Sequence, residues 1–310
     1  MPLGTPIIAI VGATATGKSG LSIALAEEYG GEVINADALQ FYRGMDIGTA
    51  KLPPSERRGI PHHQIDTLAV TEEASVARYQ LEARADIKAI HARGNRAIVV
   101  GGSGLYVRAL LDHLDFPETD PIVRARLEAR AEAEGPGVLF RELVACDPEA
   151  AERIPAQNAR RIVRALEVVT ITGRPYSASL PHPEYLLHTV QIGLRMGVED
   201  LDRRIEARSK GMWEGGLVEE TRGLVEEGLR EGKTARRAVG YAEVLRFLDG
   251  ELDHDEARNL TAQRTRRLAR RQRRWFSPDR RVIWIEGAAT PSDEARVVRD
   301  AIGVLGTLDP

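Results

Sequence analysis

The chain opens on a short apolar run, Ile7-Ile8-Ala9-Ile10-Val11, which stops at Gly12. An unbroken apolar run of this length, mostly β-branched, predicts a buried strand. A helical pattern follows from Lys18 to about Tyr29 and is closed by Gly30-Gly31. Residues 32–37 read as a second strand, 75–93 as a long helix stopped by Gly94, and 97–100 as a third strand that ends at Gly101-Gly102. Strand and helix in alternation predict an α/β fold with a parallel sheet.

The pattern changes near Pro117. From Asp120 to about Thr170 it is helical and rich in Ala and Arg, with no convincing strand. A strand returns at 189–194, a long helical region runs to about Trp275, and 282–285 reads as a last strand. The expected organisation is a core of 1–116 and 189–310, with a helical insertion at 117–188. No apolar run is long enough to span a membrane, and no basic leader precedes Ile7, which argues against a signal peptide.

Composition adds little until its distribution is considered. A single cysteine, Cys146, excludes a disulfide framework and a four-cysteine zinc site within the chain, and suits a reducing cytoplasm. The net charge of −3 does not by itself suggest nucleic acid, and the fact that only five of the 43 basic residues are Lys reads equally well as codon bias. Clustering is a different matter. Arg160, Arg161 and Arg164 fall at helical spacing, and seven arginines crowd 264–274 ahead of Trp275-Phe276 with little acidic compensation in the run. Binding to a phosphate backbone accounts for this better than a solvated helix face does.

The strongest chemical signal is Gly12-Ala13-Thr14-Ala15-Thr16-Gly17-Lys18-Ser19, a complete phosphate-binding-loop pattern between a buried strand and a helix. Its glycines let backbone N–H groups close around phosphate oxygens, and the helix start adds a favourable field. Lys18 supplies a point charge, and the Ser19 hydroxyl is a ligand for Mg2+. The loop establishes polyphosphate binding without saying that the ligand is a nucleotide. Ligands of open α/β sheets bind beyond the carboxyl ends of the strands, so the loop, Asp37 and Ser103 should face one crevice. The residues alone leave Asp37 open as a magnesium carboxylate, a general base or a helix cap. Gly101-Gly102-Ser103-Gly104 is either a tight turn only or a hydroxyl presented to substrate. No Asp or Glu directly follows Val100, which weakens a kinase reading. His62-His63 lacks a nearby third ligand, so a structural role outranks a metal one.

With these motifs in view, the sequence resembles the tRNA dimethylallyltransferase (IPP transferase) family over nearly its whole length. The resemblance is carried by the stretch from Val33 to Lys51 (including Asp37-Ala38-Leu39-Gln40), then Pro61-His62-His63 and Gly101-Gly102-Ser103-Gly104-Leu105-Tyr106. Arg161 to Val168, Val239-Gly240-Tyr241 and Ala269-Arg270-Arg271-Gln272 follow in order. It implies transfer of a dimethylallyl group from dimethylallyl diphosphate to N6 of the adenine next to the anticodon, in tRNAs reading codons that begin with U. Asp37 would be the general base, with Ser103 and Lys18 assisting. Gly12, Thr14 to Ser19 and Arg237 would hold the diphosphate, with Mg2+ at Ser19. Asp37, Ala38, Leu39, Gln40, Ser103, Arg124, Arg160, Arg161 and Arg164 would contact the tRNA anticodon stem-loop. Ala13 stands where the family usually has Pro, Ser19 and Ser103 where Thr is common, and Ala38-Leu39 where Ser-Met is frequent. Nothing in the sequence points to a membrane or an obligate protein partner. The rival readings are a phosphate-loop kinase or a prenyltransferase acting on a free nucleotide, and a non-enzymatic nucleotide-gated RNA binder.

Overall fold

The computed structural model describes residues 6–306 except 115, 118 and 180–183; residues 1–5, on which the signal-peptide expectation bears, lie outside the described residues. The elements run β1 (Ile7–Gly12), α1 (Lys18–Tyr29), β2 (Gly31–Asn35), β3 (His62–His63), α2 (Val76–Ala92), β4 (Arg96–Gly101) and α3 (Gly104–Leu111). Four helices follow, α4 (Pro121–Glu134), α5 (Pro136–Cys146), α6 (Pro148–Arg153) and α7 (Ala159–Thr172). The chain then returns through β5 (Thr189–Arg195), α8 (Val198–Glu214), α9 (Leu217–Glu226), α10 (Tyr241–Leu248), α11 (His254–Phe276), β6 (Val282–Glu286) and α12 (Glu294–Gly306).

The chain separates into two compact units, residues 1–111 with 185–310, and residues 112–184. The first is an α/β unit whose six strands are all parallel, in the order β3-β2-β4-β1-β5-β6. β1 lies between β4 and β5, and all six of its residues are buried, which is why it reads as an unbroken apolar run. Two apolar clusters form around the sheet. Ile7, Ala9 and Val11 belong to one, with Ile34, Tyr79 and Val99; Ile8 and Ile10 belong to the other, with Leu21, Leu25 and Ile192.

Two expectations are refined. The second strand ends at Asn35 rather than Asp37, because the Asn35 side chain bonds the Asp37 backbone and turns the chain there. His62-His63 is a two-residue edge strand on β2. His62 Nδ1 pairs with the Ile60 carbonyl at 2.8 Å, and His63 Nε2 with the buried Glu32 carboxylate at 2.7 Å. These partners give both rings structural roles.

The second unit is helical and has its own core of Leu127, Leu139, Leu143, Ile162, Val163 and Leu166. Asp120 starts α4 by accepting the Ile122 and Val123 N–H groups, with Pro121 at the first helical position. No helix among the described residues is long and apolar enough to cross a membrane.

Candidate active site

The carboxyl ends of β1, β2 and β4 open onto one cavity of about 690 Å³. Its lining includes Thr14 to Ser19, Asn35, Asp37, Gln40 and Gly101, with Arg204 and Arg208 on α8. The spatial neighbours of β1 bring these residues together, since each strand delivers its following loop to the same edge of the sheet.

The loop takes the backbone form its composition allows. Gly12 and Gly17 have φ of 137° and 97°, and a side chain at Gly12 would strike the Leu194 carbonyl of β5. Ala15 also adopts a left-handed φ, 66°, which a non-glycine residue holds only under constraint. α1 begins at Lys18, so its first N–H groups lack intrahelical acceptors and face the cavity end of the helix. Lys18 Nζ donates to the Ala13 carbonyl at 2.6 Å, and the Thr16 hydroxyl donates to the same oxygen at 2.9 Å. Burial pushes the Lys18 ammonium down to about 8, against the pull of the Asp37 carboxylate.

Asp37 sits two residues beyond β2. Burial raises its pKa, and the Leu39 N–H bond and the Lys18 charge oppose that rise. Its Oδ1 accepts the Leu39 N–H at 3.1 Å, while the Ser103 hydroxyl oxygen accepts the Ala38 N–H at 3.2 Å. Asp37 and Ser103 therefore accept from adjacent N–H groups of one turn, but only Asp37 is in the cavity lining, so Ser103 sits beside the crevice rather than on its wall as expected. Gln40 lines the cavity and donates to the Thr49 carbonyl, and Ala38 and Leu39 pack partly buried against the core.

The cationic wall differs from the one expected. Arg208 Nη1 donates to the Thr14 hydroxyl at 3.4 Å, and Arg204 donates to the Ala288 carbonyl. Arg237 is exposed, on a one-turn helix between α9 and α10, and is absent from the cavity lining. The only signal for Arg204 and Arg208 in the sequence is their spacing of four on a helix after β5. Nothing local says that β5 lies beside β1.

The 264–274 run contains no acid to offset its arginines, but three of them meet acids from other helices. Arg264 pairs with the fully buried Glu243, Arg266 with Glu206, and Arg270 reaches Asp202 at 4.0 Å. These acids come from α10 and α8, far away in sequence. Arg267, Arg271, Arg273 and Arg274 are exposed and form no ion pair with a described residue. In the helical unit, Arg160 and Arg161 are exposed at the start of α7. Arg124 and Arg164 instead converge on the buried Glu167 carboxylate, each at 2.8 Å.

The donor set suits a magnesium ion carried by its substrate. The exposed Ser19 hydroxyl opens α1 beside the loop, and the described residues contain no cluster of three acidic, histidine or cysteine ligands. Mg2+ commonly takes one or two protein oxygens, completing its shell with phosphate oxygens and water.

Comparison with known proteins agrees with this geometry. The family model described as IPP transferase matches residues 40–280. The chain is 55% identical to the tRNA dimethylallyltransferase of Nocardioides sp. over 310 residues, covering 99% of this chain and 98% of that one. It is 56% identical to the Streptomyces avermitilis tRNA dimethylallyltransferase over 293 residues, covering 94% of each. Among solved structures, the tRNA isopentenylpyrophosphate transferase of Bacillus halodurans aligns with a TM-score of 0.70 at 37% identity, over 98% of this chain and 97% of that one. A eukaryotic dimethylallyltransferase acting on tRNA aligns at 0.81 with 30% identity, over 97% of this chain and 78% of that one. A phosphate loop, a partly buried carboxylate beside it and near full-length identity above one half lead to one conclusion: the chain belongs to the IPP transferase family.

Proposed function

We propose that this protein transfers a dimethylallyl group from dimethylallyl diphosphate to N6 of the adenine next to the anticodon, in tRNAs reading codons that begin with U, releasing diphosphate in the cytoplasm. The observation that carries this reading is a partly buried carboxylate, Asp37, in the same cavity as Lys18 and the phosphate loop, with its pKa raised there. A base beside a polyanion cradle suits attack by a weak nitrogen nucleophile on a carbon bearing diphosphate. The relatives' names supply the prenyl group and the tRNA.

In this reading the diphosphate lies against the loop from Gly12 to Ser19. Lys18, Arg204 and Arg208 face its growing charge, and Arg237 has no part in the cavity wall. The N6 lone pair attacks the allylic carbon, and the bond from that carbon to the diphosphate oxygen breaks with its electron pair leaving on the diphosphate. The N6 proton passes to Asp37, whose raised pKa makes it a stronger base than an ordinary carboxylate. The Ser103 hydroxyl, its oxygen held by the Ala38 N–H, donates its proton toward the acceptor base. Mg2+ bound at Ser19 and the diphosphate would neutralise charge on the leaving group.

The acceptor adenine must leave its stack, which costs less in a loop than in a duplex. Asp37 to Gln40 flank the position it would take. Arg160 and Arg161 on the helical unit, and Arg267, Arg271, Arg273 and Arg274 on α11, have exposed side chains suited to backbone phosphates. Arg124 and Arg164 offer only what their bonds to Glu167 leave free.

The test is a transfer assay with Mg2+, supplying labelled dimethylallyl diphosphate or ATP to bulk tRNA, AMP and a protein acceptor in parallel. Label should enter tRNA from the prenyl donor alone. Phosphate transfer from ATP, or prenylation of AMP in preference to tRNA, would overturn the reading.

A further inference from the structure

α11 meets the phosphate loop along one stripe of its surface. Ala269 packs with Ala13, Ala15 and Ile205 in a small apolar cluster. One turn on, Gln272 Oε1 accepts the Thr14 backbone N–H at 2.8 Å, from 258 residues away in the sequence. The nitrogen of the same amide lies against Gly102, close enough that a Cβ there would collide with it. Three residues further on, the half-exposed Trp275 ring lies against Gly104 in the same way. Gln272 and Trp275 thus bracket Ser103 from one side, while Gln272 also holds the loop.

The bond has a physical task. Thr14 immediately precedes Ala15, whose left-handed φ is held only when its surroundings enforce it. Gln272 is only 8% exposed, so water does not readily replace it as acceptor for the Thr14 N–H. A glutamine suits this position because it offers an oxygen to Thr14 without placing a negative charge beside a bound anion.

We propose that Gln272 is a positioning residue: its buried amide, wedged between Thr14 and Gly102, sets the shape of the phosphate loop and its spacing from Ser103. The identity of the bound anion as a diphosphate rests on the prenyl-transfer reading.

The experiment compares the full-length wild type with Gln272→Met and Gln272→Glu. Calorimetry measures the affinity for inorganic pyrophosphate with Mg2+ across a pH series, alongside tRNA affinity at several salt concentrations and a melting curve. Methionine keeps the length but offers no comparable acceptor, so pyrophosphate affinity should fall about tenfold or more, with tRNA affinity and salt slope at the wild-type level. Glutamate keeps the bond to Thr14 but adds charge next to the anion. Its affinity relative to wild type should therefore recover as pH falls and the carboxyl group takes up a proton.

Unchanged pyrophosphate affinity in Gln272→Met would overturn the proposal. So would loss of tRNA affinity and salt slope in its place, which would make Gln272 an acceptor contact. If Gln272→Met does not fold, the Glu variant decides, and a wild-type pH profile there overturns the proposal. A wild type that binds pyrophosphate but leaves tRNA unlabelled would sink the prenyl-transfer reading and leave the Gln272 comparison intact.

Discussion

Asn35 and Asp37 hold each other through two opposed hydrogen bonds. Asn35 Nδ2 donates to the Asp37 carbonyl at 3.0 Å, and the Asp37 N–H donates to Asn35 Oδ1 at 3.0 Å. A further bond from Asn35 Nδ2 to the Gln64 carbonyl, at 2.8 Å, anchors the amide. The side chain at the end of β2 therefore fixes the backbone that carries the candidate base, while the Leu39 N–H holds the carboxylate itself.

Asp37→Asn should leave both substrates bound and lower single-turnover transfer by about a hundred- to ten-thousandfold, the usual loss on removing a general base. Asparagine keeps the size and the acceptor for the Leu39 N–H but takes no proton at neutral pH. Recovery of rate with excess Mg2+ would reassign Asp37 to the metal. A near-wild-type rate would remove it from the mechanism.

Lys18 gives a pH signature on the alkaline side. With its folded pKa near 8, the ammonium is about half neutral at that pH in the free protein. A bound anion favours the charged form and raises the pKa. Pyrophosphate binding near pH 8 should therefore take up protons, and affinity should fall as pH rises through that value. Calorimetry in buffers of different ionisation heat measures the uptake; a heat independent of buffer would show that Lys18 is already fully charged. On the acid side, transfer should fail at a higher pH than for an ordinary carboxylate, because Asp37 must be ionised and its pKa is raised.

The arginines of α11 should divide into two groups. Replacing Arg267, Arg271 or Arg274 with Ala should weaken tRNA binding and lower the salt slope by about one unit or less, with little change in melting. Arg264→Ala strips the fully buried Glu243 of its cationic partner and should cost about 1–3 kcal/mol of stability. Salt slopes unchanged from wild type in all three variants would return those arginines to solvated surface.

Glu167 provides the same division in the helical unit. Its buried carboxylate accepts from Arg124, Arg164 and the Asp120 N–H. Glu167→Gln should destabilise that unit by about 1–3 kcal/mol, since charge-assisted bonds become neutral ones. Arg160→Ala, at an exposed position, should leave melting unchanged and reduce tRNA affinity. Melting curves and filter binding on the two variants separate a structural arginine cluster from a tRNA-facing one.

Local pattern was enough for the strands, the loop and the residues that follow each strand. β1 and β4 appear as apolar runs because strands covered on both faces need no polar alternation, whereas β5 shows as an alternation of apolar with polar or small residues from Thr189 to Arg195. The phosphate loop is legible because its chemistry is contiguous, and Asp37 and Ser103 because they lie just past strand ends that any open parallel sheet gathers at one edge. Tertiary structure decided the partners. Placing β5 beside β1 brings Arg204 and Arg208 to the loop, Gln272 meets Thr14 from the far end of the chain, and Glu243, Glu206 and Glu167 pair with Arg264, Arg266 and Arg124 from other elements. A periodic pattern shows which face of a helix turns inward, whereas a hydrogen bond or ion pair between distant segments depends on which elements pack together, and that is settled only when the whole sheet and its helices bury their apolar surfaces at once.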